Sequence, residues 1–163
     1  SLWLIKKKMM ISVDVLITNK NWNKYIKNPN IYLVKRLRKI QKKINLLKKN
    51  KVNFTLLLSG EQEIKKLNKK FRKKNKSTDV LSFPSHEKKV LQKLLKKKDQ
   101  LYLGDIIINL TKIVKQSKNQ DFASTFDKIW IHGLVHLLGY RHHLNKDFST
   151  MQKIENKIIR SLK

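Results

Sequence analysis

Three histidines lie within eleven residues of one another in the last third of the chain. His132 and His136 are four residues apart, so on a helix their imidazoles project from the same face. Gly139 supplies the left-handed residue that commonly ends a helix, and His142 follows three residues later, where the chain can return toward the other two rings. Three converging imidazoles hold Zn²⁺ and leave a fourth position for water. The spacing therefore predicts a metal site formed by His132, His136 and His142 that supports hydrolysis.

The same spacing matches the metzincin peptidase pattern H-E-x-x-H-x-x-G-x-x-H at every position except one. At that position this chain has Gly133, whereas the peptidases have the glutamate that serves as general base. A zinc peptidase is therefore an alternative that keeps the metal ligands and lacks the base. His143 is expected to point away from the site, and His86 is expected to lie in a loop.

Two further segments accompany the histidines and together with them resemble a known family. Residues 71–84 (F-R-K-K-N-K-S-T-D-V-L-S-F-P) resemble the stretch Y/F-R-x-K-D-x-P-T-D-V-L-S-F-P of the YbeY family of rRNA maturation factors, which are metal-dependent endoribonucleases. Residues 103–108 (L-G-D-I-I-I) resemble that family's L-G-D-I-x-I strand, and residues 132–142 resemble its H-G-x-L-H-L-x-G-Y-D-H motif. The segments follow the family's order over about residues 10–160.

The resemblance implies an activity, a cofactor and partners. The activity is single-strand-specific endoribonucleolytic cleavage in the maturation of the 3′ end of 16S ribosomal RNA and in ribosome quality control. The cofactor is one Zn²⁺ per chain, and the partners are single-stranded or ribosomal RNA and the small ribosomal subunit. The alternative is a non-enzymatic ribosome-assembly factor with a structural metal; an open water position on the metal distinguishes the enzyme from it.

Arg72 and Asp105 are the further candidates for roles in the site. Arg72 aligns with the family's functional arginine, and the resemblance implies a catalytic role for it. A planar guanidinium suits a phosphate, or the charge that develops on it, better than an ammonium group does. The alternative is that Arg72 is one surface cation among 39 lysines and arginines. Asp105 lies in an apolar strand and is either a hydrogen-bonded structural residue or the carboxylate that orients a ligand histidine.

The chain departs from the family pattern at Arg141, where the family has aspartate, and at Asn75 and Ser77, where it has aspartate and proline. Arg141 places a cation directly before His142, and arginine cannot accept a hydrogen bond from an imidazole. We therefore expect a retuned metal site. The alternative is that Arg141 points to solvent or to a substrate phosphate.

Composition favours a folded protein that binds polyanions. The chain of 163 residues has 39 basic and 11 acidic residues and a net charge of +28, which predicts RNA binding by counterion release. Only five basic residues are arginine, so part of the charge is expected to be solvated surface lysine. The absence of cysteine excludes disulfides and thiolate ligands and suits a reducing cytoplasm. No segment approaches the roughly 20 apolar residues that span a membrane, so we expect no membrane partner.

Hydrophobic periodicity predicts an α+β fold with a small mixed β-sheet of about four strands packed with about five helices. We expect one metallohydrolase domain over residues 10–163, preceded by an N-terminal extension, residues 1–9, of which residues 1–8 are hypothesised not to be native. The predicted strands are residues 10–18, 52–58, 80–83 and 102–109. The predicted helices are residues 30–47, 60–71, 111–119, 122–138 and one that starts at 147, while residues 88–98 are either a short helix or a loop.

Overall fold

A four-stranded mixed sheet organises the protein. The computed structural model describes residues 10–44, 50–97, 100–141 and 145–163, so the predicted extension at residues 1–9 lies outside the described residues. The sheet has the order β1-β2-β4-β3 and contains β1 (Ile11–Ile17), β2 (Val52–Ser59), β3 (Val80–Pro84) and β4 (Leu101–Asn109). Strands β1, β2 and β4 are parallel, and β3 runs antiparallel to β4. The predicted α+β class and the mixed sheet are confirmed.

Six α-helices accompany the sheet in the described residues, one more than the five expected, together with short 3₁₀ helices. They are α1 (Pro29–Ile40), α2 (Glu61–Arg72), α3 (Lys88–Lys96), α4 (Leu110–Gln116), α5 (Phe122–Leu137) and α6 (Asn145–Arg160).

The additional helix is α3, in the segment for which the sequence left helix and loop open. Its apolar residues Leu91 and Leu95 are four apart and only 2% and 7% exposed, so they fasten the lysine-rich segment to the core.

Helix α1 begins where its sequence predicts but ends earlier. Asn28 caps it by accepting a hydrogen bond from the Ile31 backbone N–H, and Pro29 occupies the first turn, where its missing N–H costs nothing. The α-helix stops at Ile40 and continues as a 3₁₀ turn to Lys43, whereas the apolar periodicity had predicted a helix to residue 47. Residues 45–49 lie outside the described residues.

The most buried helix is α5, which packs on β3 and β4 and contacts α6. Phe126, Trp130 and Leu134 are fully buried along its inner face. Gly133 brings the helix close to β4, since a Cβ at this position would lie 2.8 Å from Cγ2 of Ile106. The depth of this packing fixes the height of the helix above the sheet and, with it, the position of every side chain that α5 carries.

Asp127 joins α5 to α1 through a polar network. Its Oδ1 accepts hydrogen bonds from the Tyr32 hydroxyl and from Trp130 Nε1, both at 2.9 Å. Its Oδ2 lies 3.5 Å from the Arg36 guanidinium. Burial raises the pKa of Asp127, although these donors and the Arg36 cation oppose the shift.

Candidate metal centre and cleft

His132 and His136 face one another on the exposed side of α5. Their Nε2 atoms are 3.1 Å apart, and their rings are nearly perpendicular, at 89°. Two ligand nitrogens on a tetrahedral Zn²⁺, with Zn–N bonds of about 2.0–2.1 Å, would be about 3.3–3.4 Å apart. The observed separation is therefore close to the one that a shared metal ion requires.

The other ring nitrogen of each histidine is held by an oxygen. His132 Nδ1 lies 2.6 Å from Glu155 Oε1, and His136 Nδ1 lies 2.9 Å from the Tyr140 carbonyl oxygen. Because a carbonyl and a carboxylate accept hydrogen bonds, each Nδ1 carries the proton and each Nε2 is left as the metal-binding nitrogen. Two such nitrogens at short range are stabilised by a shared cation, so the donor set fits a metal ion.

The third predicted ligand, His142, lies outside the described residues, as does His143. Among the residues that are described, no three histidine, cysteine or acidic side chains are grouped so as to hold a metal. The structure thus brings together His132 and His136, and the role of His142 stays a prediction.

Glu155 is the residue of the site that sequence analysis missed. It lies on α6, and its side chain is 19% exposed against 28% for His132. A signal was present, because Met151 and Ile158 flank Glu155 at helical spacing and are 1% and 2% exposed. A carboxylate in a buried apolar stripe needs a partner, and that requirement could have singled Glu155 out.

Asp105 is not the carboxylate that holds either of the two described histidines. It is exposed in β4 and accepts a hydrogen bond from the Tyr102 hydroxyl. Its neighbour Ile106 points toward α5, and because side chains alternate along a strand, Asp105 points to the opposite face of the sheet. The hydrogen bond from Tyr102 supports the structural interpretation of Asp105.

Both histidines line a cleft of about 740 Å³ between α2, β3 and α5. Its described lining consists of Phe71, Arg72, residues 78–84, His132, His136 and Arg141. Two of the sequence motifs, which are far apart along the chain, are therefore close in space, since the segment after α2 and the end of α5 face the same cavity.

Arg72 is the last residue of α2 and is fixed against the wall of this cleft. The helix ends because Lys73 adopts the left-handed conformation, with a φ of 55°, and its N–H returns to the carbonyls of Asn68 and Lys69. The Arg72 Nη2 donates to the Ser82 carbonyl oxygen at 2.7 Å, and its guanidinium carbon lies 5.4 Å from the Phe83 ring centroid. A guanidinium has five N–H donors, so this anchored group can still donate to a phosphate.

The segment that carries Ser82 is itself anchored to α5 and β4. The Ser82 hydroxyl donates to the Gly133 carbonyl at 3.5 Å. The buried side chain of Asn109 donates to the Thr78 carbonyl at 3.1 Å, and its backbone N–H donates to the Asp79 carbonyl at 2.9 Å. These hydrogen bonds hold this wall of the cleft in position without a bound ligand.

Gly133 leaves no room for the general base of a peptidase. The Cβ of any other residue there would meet Ile106 at 2.8 Å, so the side chain would point into the core and away from the histidine pair. The zinc-peptidase alternative therefore lacks both the glutamate and a place for it.

The fold and the cleft together define a class of protein: an α+β domain whose histidine-lined and arginine-lined cleft suits hydrolysis of a phosphate-containing polymer. Comparison with known proteins points to the same class. The family described as Endoribonuclease YbeY matches residues 16–163. Endoribonuclease YbeY of Pelagibacter ubique is 41% identical over 157 residues, which cover 94% of this chain and 97% of that protein.

A second relative, Endoribonuclease YbeY of Thermodesulfovibrio yellowstonii, is 35% identical over 169 residues, covering 95% of this chain and 99% of that protein. A solution structure of a Thermotoga maritima protein superposes with a TM-score of 0.60 at 27% identity, over 92% of this chain and 88% of the other. The chain belongs to the YbeY family of endoribonucleases. None of the helices among the described residues has both the length and the apolar character that a membrane span requires.

Proposed function

We propose that this protein is a metal-dependent endoribonuclease that cleaves single-stranded RNA in the maturation of the 3′ end of 16S rRNA and in ribosome quality control, in the cytoplasm and in contact with the small ribosomal subunit. The observation that carries the proposal is the pair of Nε2 atoms 3.1 Å apart in the cleft that also contains Arg72. The names of the relatives and the net charge of +28 support RNA as the polymer.

We further propose that residues 10–163 form one metallohydrolase domain and that its resident metal is one Zn²⁺. His132, His136 and His142 would hold the ion, which when bound supplies Lewis acidity that lowers the pKa of a water ligand and polarises a phosphoryl oxygen. Imidazole suits several transition metals, and the absence of cysteine from the chain fits an all-nitrogen site.

The remaining chemistry belongs to residues of the chain. Glu155 and the Tyr140 carbonyl hold the two imidazoles in the Nδ1–H tautomer, which orients their Nε2 atoms toward a shared ligand. Arg72, anchored on the Ser82 carbonyl, binds the phosphodiester and stabilises the negative charge that increases as the bond breaks. The other cations of the surface hold the rest of the RNA by charge.

The test combines metal analysis with a cleavage assay. Wild-type protein should contain one zinc per chain and cleave a single-stranded oligoribonucleotide, whereas His136→Ala should lose both properties. His86→Ala is the matched control, because His86 is a histidine outside the described lining of the cleft. A His136→Ala variant that retains one zinc per chain would overturn the metal site, and a zinc-loaded wild type that leaves RNA intact would overturn the activity.

A further inference from the structure

An exposed aromatic ring at the rim of the cleft has no role in the chemistry described so far. Phe71 is 57% exposed, more than any other large apolar side chain among the described residues. It immediately precedes Arg72 and lines the same cleft as the two histidines. Single exposed apolar side chains are common on protein surfaces. Phe71 differs because its exposed ring lies in the lining of the cleft, where a ligand of the site can reach it.

The ring is held in a defined position. It packs against Phe83 in an edge-to-face arrangement, with centroids 5.4 Å apart and planes at 64°. Phe83 is in turn covered by the Arg72 guanidinium. A rotationally restrained aromatic surface loses little conformational entropy when a second flat group packs on it.

Two cations accompany the aromatic pair of Phe71 and Phe83. Lys70 Nζ lies over the Phe71 ring, 5.3 Å from its centroid, and the Arg72 guanidinium lies over the Phe83 ring, 5.4 Å from its centroid. An aromatic surface accompanied by cations matches the chemistry of a nucleotide chain, in which flat bases alternate with negatively charged phosphates. An apolar peptide would leave both cations unused.

We propose that Phe71 is the platform on which an unpaired RNA base stacks, and that this contact gives the enzyme its preference for single strands. In an A-form duplex both faces of a base are covered by its neighbours, so only an unstacked base can cover the Phe71 ring. The inference rests on the proposed ribonuclease function, and it concerns how the substrate is selected rather than how the bond is broken.

Three substitutions separate stacking from packing. Phe71→Leu keeps an apolar side chain against Phe83 and loses the flat π surface, Phe71→Trp keeps a flat surface, and Phe71→Ala loses both. Stacking predicts that affinity for single-stranded RNA falls about 5- to 150-fold in the leucine and alanine variants and is preserved in the tryptophan variant. A role in packing alone predicts that leucine restores what alanine loses.

The probe is a nuclease-resistant 2′-O-methyl phosphorothioate oligonucleotide that carries 2-aminopurine, mixed with the zinc-loaded protein. Stacking of the fluorescent base on Phe71 should quench its emission in the wild type and the tryptophan variant but not in the leucine variant. Tyr25→Ala is the control, because Tyr25 is a 47% exposed ring that packs on Phe122 and lines a separate cavity. The ratio of kcat/KM for a single-stranded RNA to that for the same RNA in a duplex should fall in the leucine variant.

Equal affinity and equal quenching for wild type and Phe71→Leu would overturn the inference, and so would an unchanged ratio of kcat/KM values. Both results leave the proposed activity intact, because cleavage is measured separately. Conversely, loss of quenching in Phe71→Leu would support the platform even if the wild type failed to cleave RNA.

Discussion

His132 owes its orientation to a glutamate 23 positions further along the chain, on a different helix. We expect Glu155→Gln to weaken zinc binding by about 10- to 100-fold, because an amide oxygen can accept the Nδ1–H bond but lacks the negative charge that favours a metal cation bound to the same imidazole. A competitive chelator titration measures the effect. Asp14→Asn, on the exposed face of β1, is the control, and equal zinc affinities for wild type and Glu155→Gln would remove Glu155 from the site.

The shape of the Arg72 side chain should matter as much as its charge. Arg72→Lys keeps the cation and loses the planar fork that both binds the Ser82 carbonyl and faces the cleft. We expect single-turnover cleavage to slow by about 10-fold or more. The loss should stay below the roughly 100- to 1,000-fold that follows removal of a whole charge-stabilising donor, because the lysine keeps the positive charge. The variant should unfold at the wild-type denaturant midpoint, since Arg72 is exposed, and an unchanged cleavage rate would show that the fork is dispensable.

Arg141 borders the same cleft and directly precedes His142. We expect Arg141→Asp to tighten zinc binding by about 10-fold, since it removes a cation near the metal and adds an acceptor for an imidazole. Chelator titration and RNA binding are measured on the same preparation. Unchanged zinc affinity with weaker RNA binding would instead assign Arg141 to a substrate phosphate.

At the scale of elements, the polar network through which Asp127 joins α5 to α1 should make the stability of the protein depend on pH. Because the pKa of Asp127 is higher in the folded than in the unfolded protein, its folded form holds a proton more strongly. Its contribution to stability is therefore full below the ordinary aspartate pKa of 3.8 and is lost as the pH rises through the raised value.

The experiment is urea unfolding of wild type and Asp127→Asn at a series of pH values that begins below 3.8 and rises through the raised pKa of Asp127. The free energy of unfolding of the wild type, relative to the variant, should decrease as the pH rises. A difference that increases with pH would mean that the pairing of Asp127 with Arg36 outweighs its burial.

The elements were predictable to different extents, for physical reasons. Each strand bound lies within one residue of its prediction, because alternation along a half-buried strand is a local property. The start of α2 differs by one residue from its prediction, because Gly60 is the N-cap and the helix begins at Glu61; the hydroxyl of the preceding Ser59 donates to Glu63 at 2.7 Å.

Motifs identified His132, His136 and Arg72, which meet in the cleft. The apolar stripe around Glu155 marks a carboxylate that needs a partner, but it does not identify His132 as that partner, because the contact joins two different helices.

At the scale of the whole molecule, the net charge of +28 comes mainly from lysines, and several of them lie on α3. Deleting this helix would expose the core that Leu91 and Leu95 cover, so charge reversal is the cleaner test of its lysines. For single strands, each phosphate that is neutralised should cost a factor of about 2.5 in affinity when salt rises from about 50 to 200 mM. We expect a steep decrease for wild type and a shallower one for Lys93→Glu/Lys96→Glu, both measured by fluorescence anisotropy, and a salt-independent affinity would contradict charge-driven binding.

The contact between Gly133 and Ile106 also limits how this protein can change in evolution. The histidine spacing lies one substitution from a peptidase pattern, yet Gly133→Glu would drive its Cβ into a β-branched side chain of the central sheet. The substitution becomes tolerable only after Ile106 has been replaced by a smaller residue, and that replacement alone opens a cavity and destabilises the core. Even then the glutamate would point into the core and away from the histidine pair, so core packing rather than metal ligation keeps this site from acquiring the base of a peptidase.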